Sequence, residues 1–345
     1  MALVNSTIRR IDNSIFGLPR ETIPAQFDFF AKPDPNGYSA KIMRSVLALL
    51  CVLSALAATP LQAADRLDPT PRVAVISAFE PEWKALKADV EGAKSTSVNG
   101  VEFVTGKLGG RNVVLFLSGV SMVNASMTTQ LALDRFNVTG IVVSGIAGGV
   151  DPSLHVGDVV VAGRWGQYLE AVFAREVGGK FEPPPFIKTP FSNYGMIFPT
   201  EFGVRSAKAG LEHRFWFEAD PGMMAAAGKI GAVQLKRCTV DQSCLHDAPR
   251  LVVGGNGVSG QAFVDNAAFR QYVFETFKAQ VLDMESAAVA TVAYANGVPF
   301  IAFRCLSDLA GGSHDGNEMH VFLQLASDNS AAVVQRFLTV WTPPR

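Results

Sequence analysis

Histidine and cysteine are scarce in this 345-residue sequence, at five and four, and neither sign of charge dominates. Thirty-one Asp and Glu stand against 30 Lys and Arg, a formal net charge of -1. The even balance, with no Lys/Arg run, argues against a nucleic-acid surface, which needs clustered cations to meet phosphates. The histidines are scattered and give no helical ligand pair. His314, Asp315, Glu318 and His320 do lie close together, but the surrounding Gly311, Gly312, Ser313, Gly316 and Asn317 mark a loop, so a metal hydrolase is disfavoured. Internal repeats and a long Pro/Gly/Ser linker are also lacking. What is abundant is apolar residue, 48% of the chain, enough to bury a sizeable core. The expected partner is a small molecule.

The N-terminal apolar run, about thirteen residues from Val46 to Ala58, is shorter than the roughly 20 that a spanning helix needs. With Met43 and Arg44 before it and Pro60, Ala63 and Ala64 after it, the run has the layout of a secretory signal. Cys51 sits inside it behind Leu50, which argues against lipoprotein processing. The expectation is a signal peptide over 43–64, a periplasmic or secreted protein, no membrane association after cleavage, and a mature domain over 65–345. Residues 1–42 lack sustained periodicity and read as a doubtful or disordered leader, with Met43 as the expected true start.

Export suits the remaining cysteines. Cys305, inside the apolar run Phe300–Leu306, reads as a buried free thiol. Cys238 and Cys244 flank a polar loop and suit a disulfide in an oxidising compartment, worth roughly 2.4 kcal/mol for so short a loop. A zinc pair is the other reading, but no second Cys/His pair at ligand spacing accompanies it.

Strands alternate with helices along the mature chain, the α/β pattern. Strands are predicted at 72–78, 112–117, 141–144, 158–161, 251–253, 281–282 and 299–306. Helices are predicted from Glu80 to about Val90 and over 124–136. Asp220-Pro221 and Asp265-Asn266 supply further helix starts, the latter opening a helix that runs to Phe277. Region 163–218, rich in Pro and aromatics, reads as an insertion or long loop that helps cover the substrate.

Four segments stand where an α/β sheet puts chemistry, at strand ends. Ala78-Phe79-Glu80-Pro81-Glu82 places two acids at a helix start, where carboxylates also simply offset the helix dipole. Ser144-Gly145-Ile146-Ala147-Gly148-Gly149 either turns sharply or lets a ligand approach the backbone. The element that follows it is a strand, which argues against a dinucleotide or P-loop fingerprint. Asp283-Met284-Glu285 ends a strand on acids that a plain helix cap would also explain. Arg304 and Asp308 close an apolar run and must face a polar site or each other, since burying them unpaired is costly.

In this order and spacing, with Val156-Gly157-Asp158, Ser259-Gly260-Gln261-Ala262-Phe263-Val264 and Ser307, these segments resemble the nucleoside phosphorylase superfamily. Within it they are most similar to the methylthioadenosine/S-adenosylhomocysteine nucleosidases. The resemblance spans about residues 72–341. From Cys238 to Asp308 the chain also looks like the secreted plant bark and vegetative storage proteins of the same superfamily. The resemblance implies a single three-layer α/β domain with a central mixed β-sheet flanked by helices. It also implies a purine nucleoside as substrate, no metal or organic cofactor, and a homo-oligomer of two or more chains.

By the same resemblance, Asp308, held by Ser307, would share a proton with purine N7 and improve the leaving group. Glu285 would bind the ribose hydroxyls and stabilise the cationic sugar, with Met284 packed beneath it. Phe263 would stack on the base and the backbone near Val264 would read its edge. Glu82, with Arg304 nearby, would activate water, and Ala147 and Gly148 would lie against the substrate. The family's nucleosidases usually carry Ser where this chain has Ile146, a change that weakens phosphate binding. A phosphorolytic enzyme is the first alternative, opposed by Glu82 and by the lack of an Arg-bearing glycine turn. A non-catalytic nucleoside-binding or storage protein is the second, opposed by Glu82, Glu285 and Asp308 occurring together.

Overall fold

Continuous apolar runs set the middle of the fold, because a strand buried on both faces needs no polar alternation. The structure, a computed structural model, describes residues 66–313 and 316–343. The leader and signal peptide expected over 1–64, and His314 and Asp315, lie outside the described residues. The chain opens with β1 (Asp68–Ser77), α1 (Glu80–Lys87), β2 (Glu91–Val98), β3 (Val101–Leu108), β4 (Arg111–Leu117), α2 (Met122–Arg135) and β5 (Phe136–Gly149). Next come β6 (Val159–Val161), β7 (Arg164–Gln167) and the short β8–β13 (Ala171–Phe173, Arg175–Val177, Lys180–Glu182, Ile197–Pro199, Phe202–Ser206, Gly210–Arg214). Then follow β14 (Trp216–Glu218), α3 (Pro221–Ala227), β15 (Leu251–Val253), β16 (Asn256–Ser259) and α4 (Ala267–Phe277). The last elements are β17 (Ala279–Asp283), α5 (Ser286–Asn296), β18 (Phe300–Asp308) and α6 (Met319–Val340).

Among the described residues one mixed sheet holds twelve strands, in the order β14-β7-β16-β17-β5-β1-β4-β3-β2, with β18, β6 and β15 branching from β5. β1, β4, β5 and β18 run parallel at its heart, β2 and β3 run antiparallel to their neighbours, and β6 runs antiparallel to β18 but parallel to β15. Alternate β1 side chains feed two cores. Ala74 and Ile76 pack on the side of α2 and α5, whereas Val73 and Val75 pack on the side of α1, α3 and α6. The result is the expected three-layer α/β architecture with a central mixed sheet.

Local chemistry explains the helix boundaries. Asp220 accepts the Met223 N–H at 2.9 Å, and Asn266 accepts that of Phe269 at 2.9 Å. α5 ends at Gly297, whose φ of 67° is the left-handed conformation glycine adopts without Cβ strain. Cys238 and Cys244 are joined as a disulfide, and Cys305 is buried and free.

Two expectations need correction. Region 163–218 is not a long loop: it carries eight short strands, and β7 and β14 at its two ends pair within the main sheet. Its aromatic content builds a local core, where Phe215 stacks on Phe277 of α4 and Phe191 packs against both at a tilt. Residues 145–149 are not a turn, since β5 continues through them to Gly149, pairing with β18 and then with β17. The β2–β3 hairpin was not anticipated.

Candidate active site

The C-terminal ends of β1, β4, β5, β16, β17 and β18 converge on one pocket, a cavity of about 180 Å³. Glu82, Ala147, Gly148, Phe263, Val264, Met284, Glu285, Ser307 and Asp308 all line it. Arg304 does not. It is 1% exposed and lies behind the wall. No residue of 163–218 is on the pocket surface. Asp283 also lines it, and the remaining lining, including Phe79, Val120, Ile146, Leu282 and Met319, is apolar.

The two acids at the start of α1 have different fates. Glu80 is exposed and pairs with Lys84 at 2.8 Å. Glu82 is buried; its Oε2 accepts the N–H of Ala78 (2.7 Å) and Phe79 (3.3 Å), and its Oε1 accepts that of Ile146 (2.8 Å). Three such bonds leave room for one more acceptor contact toward the pocket. Burial nevertheless raises the Glu82 carboxyl above its ordinary value, against the lowering effect of Arg304 and the three N–H groups.

The glycines of β5 make this approach possible. A Cβ at Gly145 would stand 2.5 Å from Glu82 Oε1 and closer still to the Arg304 guanidinium, and one at Gly148 would stand 3.3 Å from Asp308 Oδ1. At Gly145 a side chain of α6 also reaches the backbone of the sheet. Ser330 Oγ accepts the Gly145 N–H at 3.0 Å and donates to the Phe303 carbonyl at 3.2 Å.

Arg304 is the one cation among three carboxylates. Its Nε lies 2.7 Å from Asp283 Oδ2, its Nη2 3.3 Å from Glu285 Oε2, and its Nη1 3.9 Å from Glu82 Oε1. It also donates to Ser286 Oγ (3.0 Å) and to the Ile146 carbonyl (3.2 Å). Arg304 therefore faces the polar site and not Asp308, with acid partners from β17, α1 and the start of α5. Glu285 Oε1 accepts the Ser121 N–H at 2.8 Å. Burial, assisted by the like charges of Asp283 and Glu82, pushes the Glu285 carboxyl up to about 7 in spite of Arg304.

On the opposite wall Ser307 Oγ donates to Asp308 Oδ2 at 2.9 Å, and the Ala310 N–H donates to Oδ1 at 2.7 Å. Burial raises the Asp308 carboxyl despite both bonds, so protonated acid is favoured over a wider pH range than for a free aspartate. Phe263 is 57% exposed, and its ring is open to a stacking partner. The site thus opposes a protonatable acid to a group of buried carboxylates, across a space with apolar walls.

Sequence reasoning gave no role to Ser121, Ser259 or Ser330, and offered Asp283 only as a helix cap, which it is. The strand-end rule would have found Ser121, since Ser118-Gly119-Val120-Ser121 follows the buried run of β4. Its φ of 79° is rare outside glycine and marks a constrained site. Ser330, on a helix more than 180 positions from Gly145, carries no local signal.

Comparison with known proteins follows the same geometry. A family model described as "Phosphorylase superfamily" matches residues 72–339. The chain is 31% identical over 276 residues to the 5'-methylthioadenosine/S-adenosylhomocysteine nucleosidase of Geobacillus kaustophilus, covering 79% of this chain and 99% of that one. Among solved structures, the nucleosidase of that name from Colwellia psychrerythraea, in complex with adenine, is similar at 27% identity and TM-score 0.56, over 77% of this chain and 94% of that chain. Futalosine hydrolase of Helicobacter pylori shares the fold at 20% identity and TM-score 0.56, over 77% and 97% of the two chains.

Proposed function

The chain belongs to the phosphorylase superfamily, and from that premise we propose that it is a hydrolytic purine nucleosidase acting on nucleosides of the methylthioadenosine/S-adenosylhomocysteine class. The observation that carries the choice of water over phosphate is the state of the pocket's N–H groups. Those of Ala78, Phe79, Ile146 and Ser121 are all donated to Glu82 or Glu285. A phosphate would need those donors and an excess of positive charge. Here one buried guanidinium faces three carboxylates.

In this reading the purine lies against Phe263 and Val264, with N7 at Asp308. Asp308 delivers its proton to N7 as the C1'–N9 bond breaks and the bonding electrons leave with the base. Glu285 accepts hydrogen bonds from the ribose hydroxyls, and its charge faces the cationic sugar as it develops, which is stabilisation concentrated in the transition state. Glu82 receives one proton from the water whose oxygen bonds to C1'. The products are free base and hydroxylated sugar. Solvent then returns a proton to Asp308 and removes one from Glu82. Arg304 holds Glu285 and Glu82 from behind, and Met284 underlies the ribose.

The Cys238–Cys244 disulfide supports export to an oxidising compartment. No helix of the described residues is long and apolar enough to cross a membrane. The exposed Val120, Val123 and Met127, one stripe leading away from the pocket, support a homo-oligomer.

The test is an assay of the purified mature protein against methylthioadenosine, S-adenosylhomocysteine, adenosine and inosine, with and without phosphate. Base release at the same rate in both buffers is expected. Phosphate-dependent release identifies a phosphorylase, and tight binding with no release identifies a binding or storage protein.

A further inference from the structure

The carboxylate of Asp283 has no role in the scheme above, yet it joins β16, the start of α5 and Arg304. Asp283 ends β17, in register with Ser259 of β16. Its Oδ1 accepts the N–H of Glu285 and of Ser286, both at 3.2 Å, and the hydroxyl of Ser259. The same hydroxyl accepts the Ala287 N–H at 2.8 Å. Three of the N–H groups that α5 leaves unpaired at its start are thereby satisfied from outside the helix. Oδ2 holds Arg304 Nε at 2.7 Å.

The consequence falls on Glu285. It stands at the N-cap of α5 but makes no side-chain cap bond, although an acidic side chain there ordinarily folds back onto the helix. With the cap supplied by Asp283 and Ser259, the Glu285 carboxylate reaches the pocket, the Ser121 N–H and Arg304. We propose that Asp283 is the positioning residue of this site: it caps α5 in place of Glu285 and anchors Arg304 behind it, so that the Glu285 carboxylate faces substrate. This rests on the reading of Glu285 as the ribose-side carboxylate.

The groups facing Glu285 are Arg304 from β18, Asp283 from β17, Glu82 from α1 and the Ser121 N–H at the start of α2. Neutralising Asp283 removes a like charge and also releases Arg304 toward Glu285. Both effects favour ionised Glu285, so their sign is common.

The experiment compares wild type, Asp283→Asn and Asp283→Glu on methylthioadenosine from about pH 5 to 9. Asn retains an oxygen for the α5 N–H groups but places an amide where Arg304 needs an anion. The expected result for Asp283→Asn is a kcat lower by about tenfold or more with KM changed much less. The acid limb of kcat/KM should also move about one pH unit lower. Asp283→Glu, which restores the charge, should bring the limb back toward wild type. Should Asp283→Asn fail to fold, Ser259→Ala, which breaks the same cap, must lower kcat more than it raises KM. An unmoved or upward-moving limb, or a change in KM alone, overturns the proposal while wild-type turnover and a damaging Glu285→Gln keep the functional reading intact. A wild type that releases no base, or a Glu285→Gln enzyme with normal turnover, instead overturns that reading and this inference with it.

Discussion

Replacing Asp308 by Asn isolates proton delivery from binding. The aspartate is held by two donors, the Ser307 hydroxyl at 2.9 Å and the Ala310 N–H at 2.7 Å. The Ala310 N–H is fixed, so the amide oxygen of Asn must accept it. The amide nitrogen then faces Ser307, whose hydroxyl is free to rotate, become the acceptor and donate to the Ala147 carbonyl at 3.4 Å. No donor is stranded, and stability should fall by less than about 1 kcal/mol. An amide N–H still meets purine N7, so KM should change little. What disappears is the transferable proton, and general acid catalysis is worth about 10²–10⁴-fold, or roughly 3–5 kcal/mol. Steady-state kinetics on methylthioadenosine with a coupled assay for free adenine should therefore give kcat reduced by at least about 10²-fold at similar KM. Burial raises the wild-type carboxyl, so the wild-type kcat should also decline at high pH as Asp308 ionises, and the variant should lose that decline. A variant that turns over within threefold of wild type, or loses affinity alone, would refute the assignment.

Three further outcomes are expected. Glu285→Gln should lower kcat more than it raises KM, and its stability should depend on pH in a set direction. The wild-type carboxyl is held near 7 in the fold, above its unfolded value, so its contribution is complete below about pH 4 and is lost as pH rises through 7, worth roughly 3 kcal/mol in all. In thermal melts the Gln variant should thus gain on wild type between pH 5 and 8, and a constant difference would contradict the burial argument. Gly145→Ala, whose Cβ would stand 2.5 Å from Glu82 Oε1, should cost about 1–3 kcal/mol of stability and lower kcat; an enzyme unchanged in both would show that Glu82 moves freely. Replacing Cys238 and Cys244 by Ser should lower unfolding stability by about 2 kcal/mol with activity retained, and free alkylation of both thiols in the mature protein would rule out the bridge.

The charged parts of the site that were legible in the sequence share one property: each follows an apolar run. Glu285 and Asp308 follow β17 and β18, where burial leaves a carboxylate few options but a polar pocket. The central strands were legible for the same reason. β2 was not, because Glu91–Val98 is exposed almost throughout and has no apolar alternation; pairing with β3 makes it a strand. The glycines of β5 were read as a possible turn because sequence shows only that a Cβ is missing, not what stands in its place. Arg304 was recognised, but its depth was not, since three partners that bury it come from β17, α1 and the start of α5. Region 163–218 misled because its aromatics pair with α4, remote in sequence.

The occupation of the pocket's amides by carboxylates also bears on the direction of the proposed reaction. A phosphorolytic enzyme keeps the energy of the broken glycosidic bond in a sugar phosphate and sits near equilibrium, so it can assemble nucleosides as well as dismantle them. In the proposed reading the Ala78, Phe79 and Ile146 amides of the pocket and the Ser121 amide behind it already serve Glu82 and Glu285, so none of them is offered to that phosphate. With water as the nucleophile of the proposed reaction, the bond energy is not kept in the product, the sugar carries no handle for the return step, and turnover runs toward free base.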